Sequence, residues 1–325
     1  MYIETLSELK GEKLLKWEAF LSQAKLEADK NSTQTVLIFE DEEIIATGSR
    51  QENILKCIAV SPSRQGEDLT SKIITELRKG AFEEGFSHLF LYTKSENEHI
   101  FSSLFFYTVA KTDKVLLMEN RQGAVTSFIN SLNKEAAENA GACVMNCNPF
   151  TLGHRYLIET ASKMCNHLYV FVVSEDKSEF SFKDRLEMVK RGTKDLENVT
   201  ILETGPYLIS SATFPTYFLK DRDNAEETHC ELDIEIFARH FAPRFSITKR
   251  FVGTEPLSKL TDKYNESLKK LLPQKGIEFI EIPRLEISDI PVSASRVREL
   301  IKENKTAELE KIVPKSTFDY IKEVY

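Results

Sequence analysis

Nowhere in the 325 residues is there an apolar run near the roughly 18 residues that a bilayer-spanning helix needs. The opening Met-Tyr-Ile-Glu-Thr-Leu-Ser-Glu lacks the basic and apolar regions of a secretory signal, so a cytoplasmic location is the expectation. Cysteine is scarce. Cys57, Cys143, Cys147, Cys165 and Cys230 are odd in number and scattered, which excludes a disulfide framework. Cys143 and Cys147 have no second pair at zinc spacing, so both are expected as buried, reduced thiols and no protein-held metal is expected. Positive charge is also short, with 43 Lys and Arg against 51 Asp and Glu and a net charge of -8. That balance argues against broad nucleic-acid binding, which neutralises phosphates with a basic face, yet it leaves room for a local nucleotide pocket. Neither nucleic acid nor a membrane is expected as a partner.

What is present is ordinary soluble-protein composition, 41% hydrophobic and 29% charged, in a chain long enough for two domains with separate cores. Leu9 to Glu27 carries Leu14, Leu15, Trp17, Leu21 and Ala24 at helical spacing. Strand-like runs follow at Thr35–Phe39, Glu43–Gly48 and Ile54–Ser61, the first two joined by an Asp41-Glu42 turn. Leu69–Phe82 reads as an amphipathic helix, with Ile73, Ile74, Leu77 and Ala81 on one stripe. His88–Thr93 is a strand, Glu98–Phe106 a helix and Lys114–Glu119 a strand, a βββαβαβ order. Residues 1–123 form a first, α+β domain.

A connecting helix over 124–141 leads to a second domain over 142–325. There Ala142–Asn146, Leu168–Ser174, Val199–Leu202, Phe245–Val252 and Ile277–Pro283 read as strands. Helices at Arg155–Lys163, Lys183–Arg191 and Leu257–Leu272 separate them, and three more follow from Ser295 to the end. Continuous apolar strands alternating with helices predict an α/β fold, a parallel sheet covered on both faces. Ligands of such sheets bind beyond the carboxyl ends of the strands.

Two segments stand where that rule points. Ala142 to Leu157 runs strand, turn, helix, and Thr151-Leu152-Gly153-His154 opens the helix. Backbone N–H groups and the helix dipole favour an anion there. Gly153 lets a ligand approach the backbone, and His154 and Thr151 can donate to phosphate oxygens. The same residues also suit a plain helix start, with Thr151 as its cap. Near the C-terminus, Val292-Ser293-Ala294-Ser295-Arg296-Val297-Arg298 again places hydroxyls at a helix start. Ser293 and Ser295 can cap or touch phosphate, and the Arg298 fork can grip it. A capped surface helix with solvated arginines fits that stretch equally.

T-x-G-H after a first strand, with a Ser-rich turn and Arg before a late helix, resembles the adenylyl/cytidylyltransferase superfamily. Longer strings narrow the likeness: Met145-Asn-Cys-Asn-Pro-Phe-Thr-Leu-Gly-His, Ser211-Ala-Thr-Phe-Pro-Thr-Tyr-Phe-Leu-Lys and Arg250-Phe-Val-Gly-Thr-Glu-Pro resemble the citrate (pro-3S)-lyase ligase family. That likeness covers nearly the whole chain, because the family carries an N-terminal acetyltransferase-like (GNAT) domain before a Rossmann-like nucleotidyltransferase domain.

The resemblance implies an AMP-forming acid–thiol ligase. Acetate attacks the α-phosphorus of ATP, bound with Mg2+, to give acetyl-adenylate and pyrophosphate. The acetyl group then passes to the phosphoribosyl-dephospho-coenzyme A thiol on the acyl carrier subunit of citrate lyase, which activates the lyase. It implies catalytic roles for Thr151, His154 and Arg298. Asn148, Phe150, Gly153, Gly253, Thr254, Glu255, Ser293 and Ser295 are implied around ATP. Lys183 and Arg185 open a helix whose dipole they oppose, which suits a substrate or phosphate role as well as solvated charge. His229 and Asp233, four residues apart, are expected as a helix-surface pair or a pH-dependent dyad.

The first domain departs from a working acetyltransferase. Where the coenzyme A cradle wants glycines, Gln65-Gly66-Glu67-Asp68-Leu69-Thr70 places Asp68 and Thr70. A carboxylate there repels a pyrophosphate. Docking of the carrier or its prosthetic group, or a structural role, remains open for this domain. An adenylyltransferase acting on a phosphorylated cofactor precursor is the rival enzyme; the long segment from Gly205 to Pro243 and the extra domain count against it.

Overall fold

The computed structural model describes all residues except 27, 30, 211–221, 256–257, 289 and 325, together with the backbone alone of 222–226 and 259–260. The Ser211–Lys220 string therefore lies outside the described residues. The chain divides into two compact units, Met1–Ala124 with Ser211–Glu235, and Val125–Ser210 with Ile236–Tyr325.

The first unit runs β1 (Tyr2–Leu6), α1 (Gly11–Gln23), β2 (Gln34–Glu40), β3 (Glu43–Gln51), β4 (Ile54–Val60), α2 (Leu69–Glu83), β5 (Phe90–Lys94), α3 (Glu98–Ser102), β6 (Tyr107–Lys111) and β7 (Val115–Glu119). Its seven strands lie in the order β1-β2-β3-β4-β5-β7-β6, antiparallel except for a short parallel pairing of β4 with β5. The succession β2, β3, β4, α2, β5, α3 and β7 within it matches the βββαβαβ order read from the sequence. The α2 stripe of Ile73, Ile74 and Leu77 lies in one core with Val36, Ile38, Leu91 and Met118. Two strands escape the sequence reading. β1 is an edge strand whose residues stay largely exposed, and β6 follows α3 across Phe105, at φ 61° with no Gly or Pro to mark the break.

The second unit opens with α4 (Ala124–Ser131), which ends well short of the expected 141; β8 (Ala140–Met145) begins earlier than expected. It continues with α5 (Leu152–Ser162), β9 (Leu168–Val172), α6 (Phe182–Thr193) and β10 (Val199–Glu203). α7 (Arg222–Ile236) leaves the unit. Then come α8 (Ala242–Phe245), β11 (Ile247–Gly253), α9 (Lys259–Leu271), β12 (Glu278–Ile282), the hairpin β13 (Glu286–Ile287) and β14 (Ile290–Pro291), α10 (Ala294–Lys302), α11 (Thr306–Leu309) and α12 (Lys315–Val324). The five long strands pair in parallel in the order β10-β9-β8-β11-β12. Every residue of β9 is buried, as a strand covered by helices on both faces requires.

The chain builds this sheet outward from β8 in one direction, then returns to its other side at β11. The strand order therefore reverses between β8 and β11, and the carboxyl ends of these two strands flank the switch point.

In the described part of α7 the His229 ring lies edge-on to Tyr92 at 5.8 Å. His229 and Asp233 are both buried, at 4% and 2% exposure. This corrects the expectation of a helix-surface pair: within α7 the buried Cys230, Leu232 and Ile234 flank these polar groups, and the helix buries them as well.

Candidate active site

The turn after β8 is built to aim one imidazole. Thr151 caps α5, and its hydroxyl accepts the His154 N–H at 3.3 Å. In return the Thr151 N–H donates to His154 Nδ1 at 3.1 Å, with the Thr151 hydroxyl 2.9 Å from the same nitrogen. This is a reciprocal capping box with His in the place usually taken by Glu or Gln. Because Nδ1 accepts, the proton of the neutral ring resides on Nε2. The Phe150 ring stacks on the imidazole, 6.0 Å between centres and 14° from parallel. Thr151 is thus occupied with its helix and with His154 and is almost wholly buried, at 1% exposure.

Protein packs densely around His154 although its edge still meets solvent. Burial first, and the positive charge of Arg284 second, pull its pKa down to about 4. Both effects disfavour the imidazolium. At neutral pH the ring is a neutral Nε2–H donor.

The second element arrives beside the first. Ser293 caps α10 by accepting the Arg296 N–H at 3.2 Å. A Cβ on Gly153 would lie 3.3 Å from the Val292 carbonyl oxygen and 3.5 Å from Val292 Cβ. The glycine is therefore required by the approach of the Val292 strand-end as much as by any ligand. Arg298, one turn into α10, donates from Nη1 to the Asn148 carbonyl at 2.5 Å and from Nη2 to Ser295 Oγ at 3.1 Å. Glu179 lies 3.6 Å from its Nε. Thr151, Gly153, His154, Val292, Ser293, Ser295 and Arg298 form one cluster, 150 residues apart in sequence at the Arg298–Asn148 bond. The Leu152 N–H at the first turn of α5 is taken by the Ile312 carbonyl at 3.0 Å.

β11 and β12 supply the other wall. Gly253 ends β11, and its carbonyl accepts the Asn265 amide at 3.0 Å. The Thr254 N–H donates to the Ile282 carbonyl at 3.0 Å, and its hydroxyl accepts the Arg284 N–H at 3.0 Å. Glu255 forms a two-pronged ion pair with Arg284. Pro256 lies outside the described residues. Arg284 was missed in the motif reading. Its signal was a cation placed directly beyond the carboxyl end of a parallel strand, after Pro283.

Arg185 receives a different role from the one expected. Its side chain is fully buried, at 0% exposure. Nε donates to the Phe180 carbonyl, Nη1 to the Asn146 carbonyl, Asn146 Oδ1 and the Val173 carbonyl, and Nη2 to the Glu175 carbonyl, all between 2.7 and 3.1 Å. A fully buried guanidinium bonded to four backbone carbonyls and to Asn146 Oδ1 fastens the loops beyond β8 and β9 and is withdrawn from the solvent side of the site. Asn148 joins the same framework, its Oδ1 accepting the Phe180 N–H at 3.1 Å. Lys183, by contrast, is exposed at the surface.

No three His, Cys, Asp or Glu side chains gather into a metal-holding group among the described residues. Cys143 and Cys147 are buried and free, and burial pushes the Cys143 thiol up to about 12.

In the first unit, Asp68 adopts a left-handed backbone at φ 61° before α2, and Gly66 lies at φ 89°. Arg64, the cation nearest this turn in sequence, is engaged by Glu67 at 3.2 Å and by Glu40. The carboxylate at Asp68 and the neutralised arginine both weaken the turn as a pyrophosphate cradle. Among the described residues no helix is long and apolar enough to cross a membrane.

A family model described as the citrate lyase ligase C-terminal domain matches residues 140–321. The chain is 40% identical over 311 residues to citrate (pro-3S)-lyase ligase of Klebsiella pneumoniae, covering 94% of this chain and 91% of that protein. It is 38% identical over 319 residues to the ligase of the same name from Escherichia coli (strain K12), covering 96% and 91%. A more distant relative is the phosphopantetheine adenylyltransferase of Streptococcus uberis. It is 26% identical over 146 residues, 41% of this chain and 87% of that protein.

Proposed function

The chain belongs to the citrate lyase ligase family, and from that premise we propose that it activates acetate with ATP for transfer to the thiol of citrate lyase's acyl carrier subunit. The observation that carries the reading is the convergence of the α5 and α10 starts, with Gly153 against the Val292 carbonyl and Arg298 on the Asn148 carbonyl. A neutral Nε2–H donor, a guanidinium and two helix starts form a pre-set cradle for phosphates.

In the proposed reaction an acetate oxygen bonds to the α-phosphorus as the bond to the bridging oxygen of the β-phosphate breaks. Pyrophosphate leaves and acetyl-adenylate remains. His154 Nε2–H and Arg298 donate to the oxygens on which charge accumulates. The carrier thiol, as thiolate after losing its proton, then attacks the acetyl carbon, and AMP departs. The protein makes no covalent bond; it positions reactants and stabilises charge. The prosthetic group implied is phosphoribosyl-dephospho-coenzyme A. The carboxylate at Asp68 favours a carrier-docking or structural role for the first unit over acetyl-coenzyme A binding.

The test is incubation with ATP, acetate and purified thiol-form citrate lyase. AMP and pyrophosphate should appear together with lyase activity. The adenylyltransferase relatives favour a second reading, in which the acceptor is phosphorylated. Pyrophosphate release with 4′-phosphopantetheine but not with acetate would establish that reading and remove the first.

A further inference from the structure

Three cations stand on α10, and two of them share one anion. Arg296 is held along the surface by carboxylates of its own helix and the next, with Glu299 at 3.3 Å and Glu308 at 3.1 Å. Arg298 and Lys302, one turn apart, instead face the same atom. Glu179 Oε2 lies 3.6 Å from Arg298 Nε and 3.4 Å from Lys302 Nζ. Side chains four residues apart on a helix lie on one face. The shared oxygen therefore marks a point where one negative charge is bracketed by two positive ones.

The carboxylate is brought there by a loop whose backbone is fixed on both sides. Before it, Asn146 Nδ2 donates to Ser178 Oγ at 3.2 Å. After it, the Phe180 N–H donates to Asn148 Oδ1 at 3.1 Å, and the Phe180 carbonyl accepts Arg185 Nε at 3.1 Å. The Asn148 carbonyl in turn accepts Arg298 Nη1. Glu179, Phe180, Asn148 and Arg298 thus close a ring at the turn between β8 and α5. The Glu179 side chain is the loosely held part of it, 41% exposed against 26% for Arg298, and Lys302 is 68% exposed. Ion pairs this exposed are weak. A ligand bearing more charge than one carboxylate can displace Glu179 by turning its side chain, with the loop unmoved.

We propose that Lys302 is a further phosphate-binding residue of the site, and that the Glu179 carboxylate occupies the seat of an outer phosphate of ATP, holding Arg298 and Lys302 until the triphosphate takes them. The proposal rests on the adenylation reading for the identity of its ligand. Lys302 lies beyond the serine–arginine stretch and Glu179 follows a different strand, so neither belongs to a phosphate motif. The carboxylate has two effects. It screens two neighbouring cations from each other before ATP binds. It also lowers the apparent affinity for ATP by the fraction of molecules in which those cations are held. Pyrophosphate meets the same competition, which favours its release.

The test is isothermal titration calorimetry of the full chain with ATP, inorganic pyrophosphate and AMP, each at low and high ionic strength. Glu179→Gln should tighten ATP and pyrophosphate about two- to fivefold, the scale of an exposed ion pair, and leave AMP unchanged because it lacks the outer phosphates. Lys302→Gln should weaken ATP and pyrophosphate about threefold or more, and Lys302→Arg should keep both near the wild type. All these differences should shrink at high ionic strength, as effects of exposed charges do.

A carboxylate that merely fixed Arg298 in place would give the opposite sign, with ATP bound more weakly by Glu179→Gln. Weaker or unchanged binding of ATP and pyrophosphate in Glu179→Gln overturns the proposal, as does unchanged binding in Lys302→Gln or an equal shift for AMP. Both side chains are exposed enough that removing the charge leaves the packing intact. The same samples are assayed for pyrophosphate release from ATP and acetate. The expected binding shifts without any release in the wild type would sink the adenylation reading and leave this assignment standing.

Discussion

The backbone N–H of Thr151 donates to Nδ1 of His154 at 3.1 Å, so the threonine decides which ring nitrogen carries the proton. The threonine of the four-letter motif thereby sets the tautomer of its neighbour. Catalytic histidines are commonly defined by the bond made at their second nitrogen.

Loss of the donor should be felt in the chemical step. His154→Ala is expected to slow ATP- and acetate-dependent pyrophosphate release by about 10²-fold or more, the scale of removing one pre-set charge-stabilising donor. Near-normal release in this variant would dismiss the site. Thr151→Ser should keep the cap and most activity. Thr151→Ala should cost about 1 kcal/mol of stability as a lost helix cap and also lower kcat. Urea denaturation and initial rates separate the two effects.

The low pKa of His154 has a stability consequence. The ring takes a proton near 6.5 in the unfolded chain and only near 4 in the folded one. Between these values the unfolded state holds more protons, so stability falls as pH drops through that window and stops changing below it. The slope is at most about 1.4 kcal/mol per pH unit, reduced by solvent at the ring edge. Melting temperatures of wild type and His154→Asn at pH 7, 6 and 5 should therefore converge toward low pH. Parallel curves would show that the imidazole is not held neutral.

Arg298→Ala should also reduce adenylate formation by about 10²-fold, while costing only about 1 kcal/mol of stability for the bond to the Asn148 carbonyl. Arg298→Lys should recover little, because one ammonium cannot reproduce a fork that reaches Asn148 and Ser295 together. Full activity in either variant would place the triphosphate elsewhere.

Arg185 should give the opposite pattern. Arg185→Ala leaves the carbonyls of Asn146, Val173, Phe180 and Glu175 without their donor. Unsatisfied buried groups cost about 1–3 kcal/mol each at worst, so a loss of about 3 kcal/mol or more is expected. Denaturant midpoints measure it. A stable variant with a raised KM for ATP would return Arg185 to the list of phosphate ligands.

Much of the architecture was legible along the chain because it rests on local periodicity. The Ile73, Ile74, Leu77 and Ala81 stripe marks α2, and the unbroken apolar run at Leu168 marks β9 as a strand covered on both faces. β1, β6 and the β13–β14 hairpin were not legible. The first is an exposed edge, the second begins after a turn without Gly or Pro, and the third has strands only two residues long. The site was half legible. Thr151, Gly153, His154, Ser293 and Arg298 stand in strand–turn–helix settings that chemistry recognises. Arg284 stands alone after a strand, and its importance depends on which charges end up beside it.

The sequence by itself determined the two-unit plan, the parallel α/β sheet, the helix starts that carry the phosphate motifs and the family likeness. These follow from spacing and residue type over a few turns of chain. Only the tertiary structure decided that Arg185 fastens loops, that Arg284 is paired with Glu255 and that the Val292 carbonyl comes close to Gly153. The physical reason is common to all three. A residue takes its role from its nearest neighbours, and here some of those come from segments tens to more than a hundred residues away, whereas the Thr151–His154 pair is set within one helical turn.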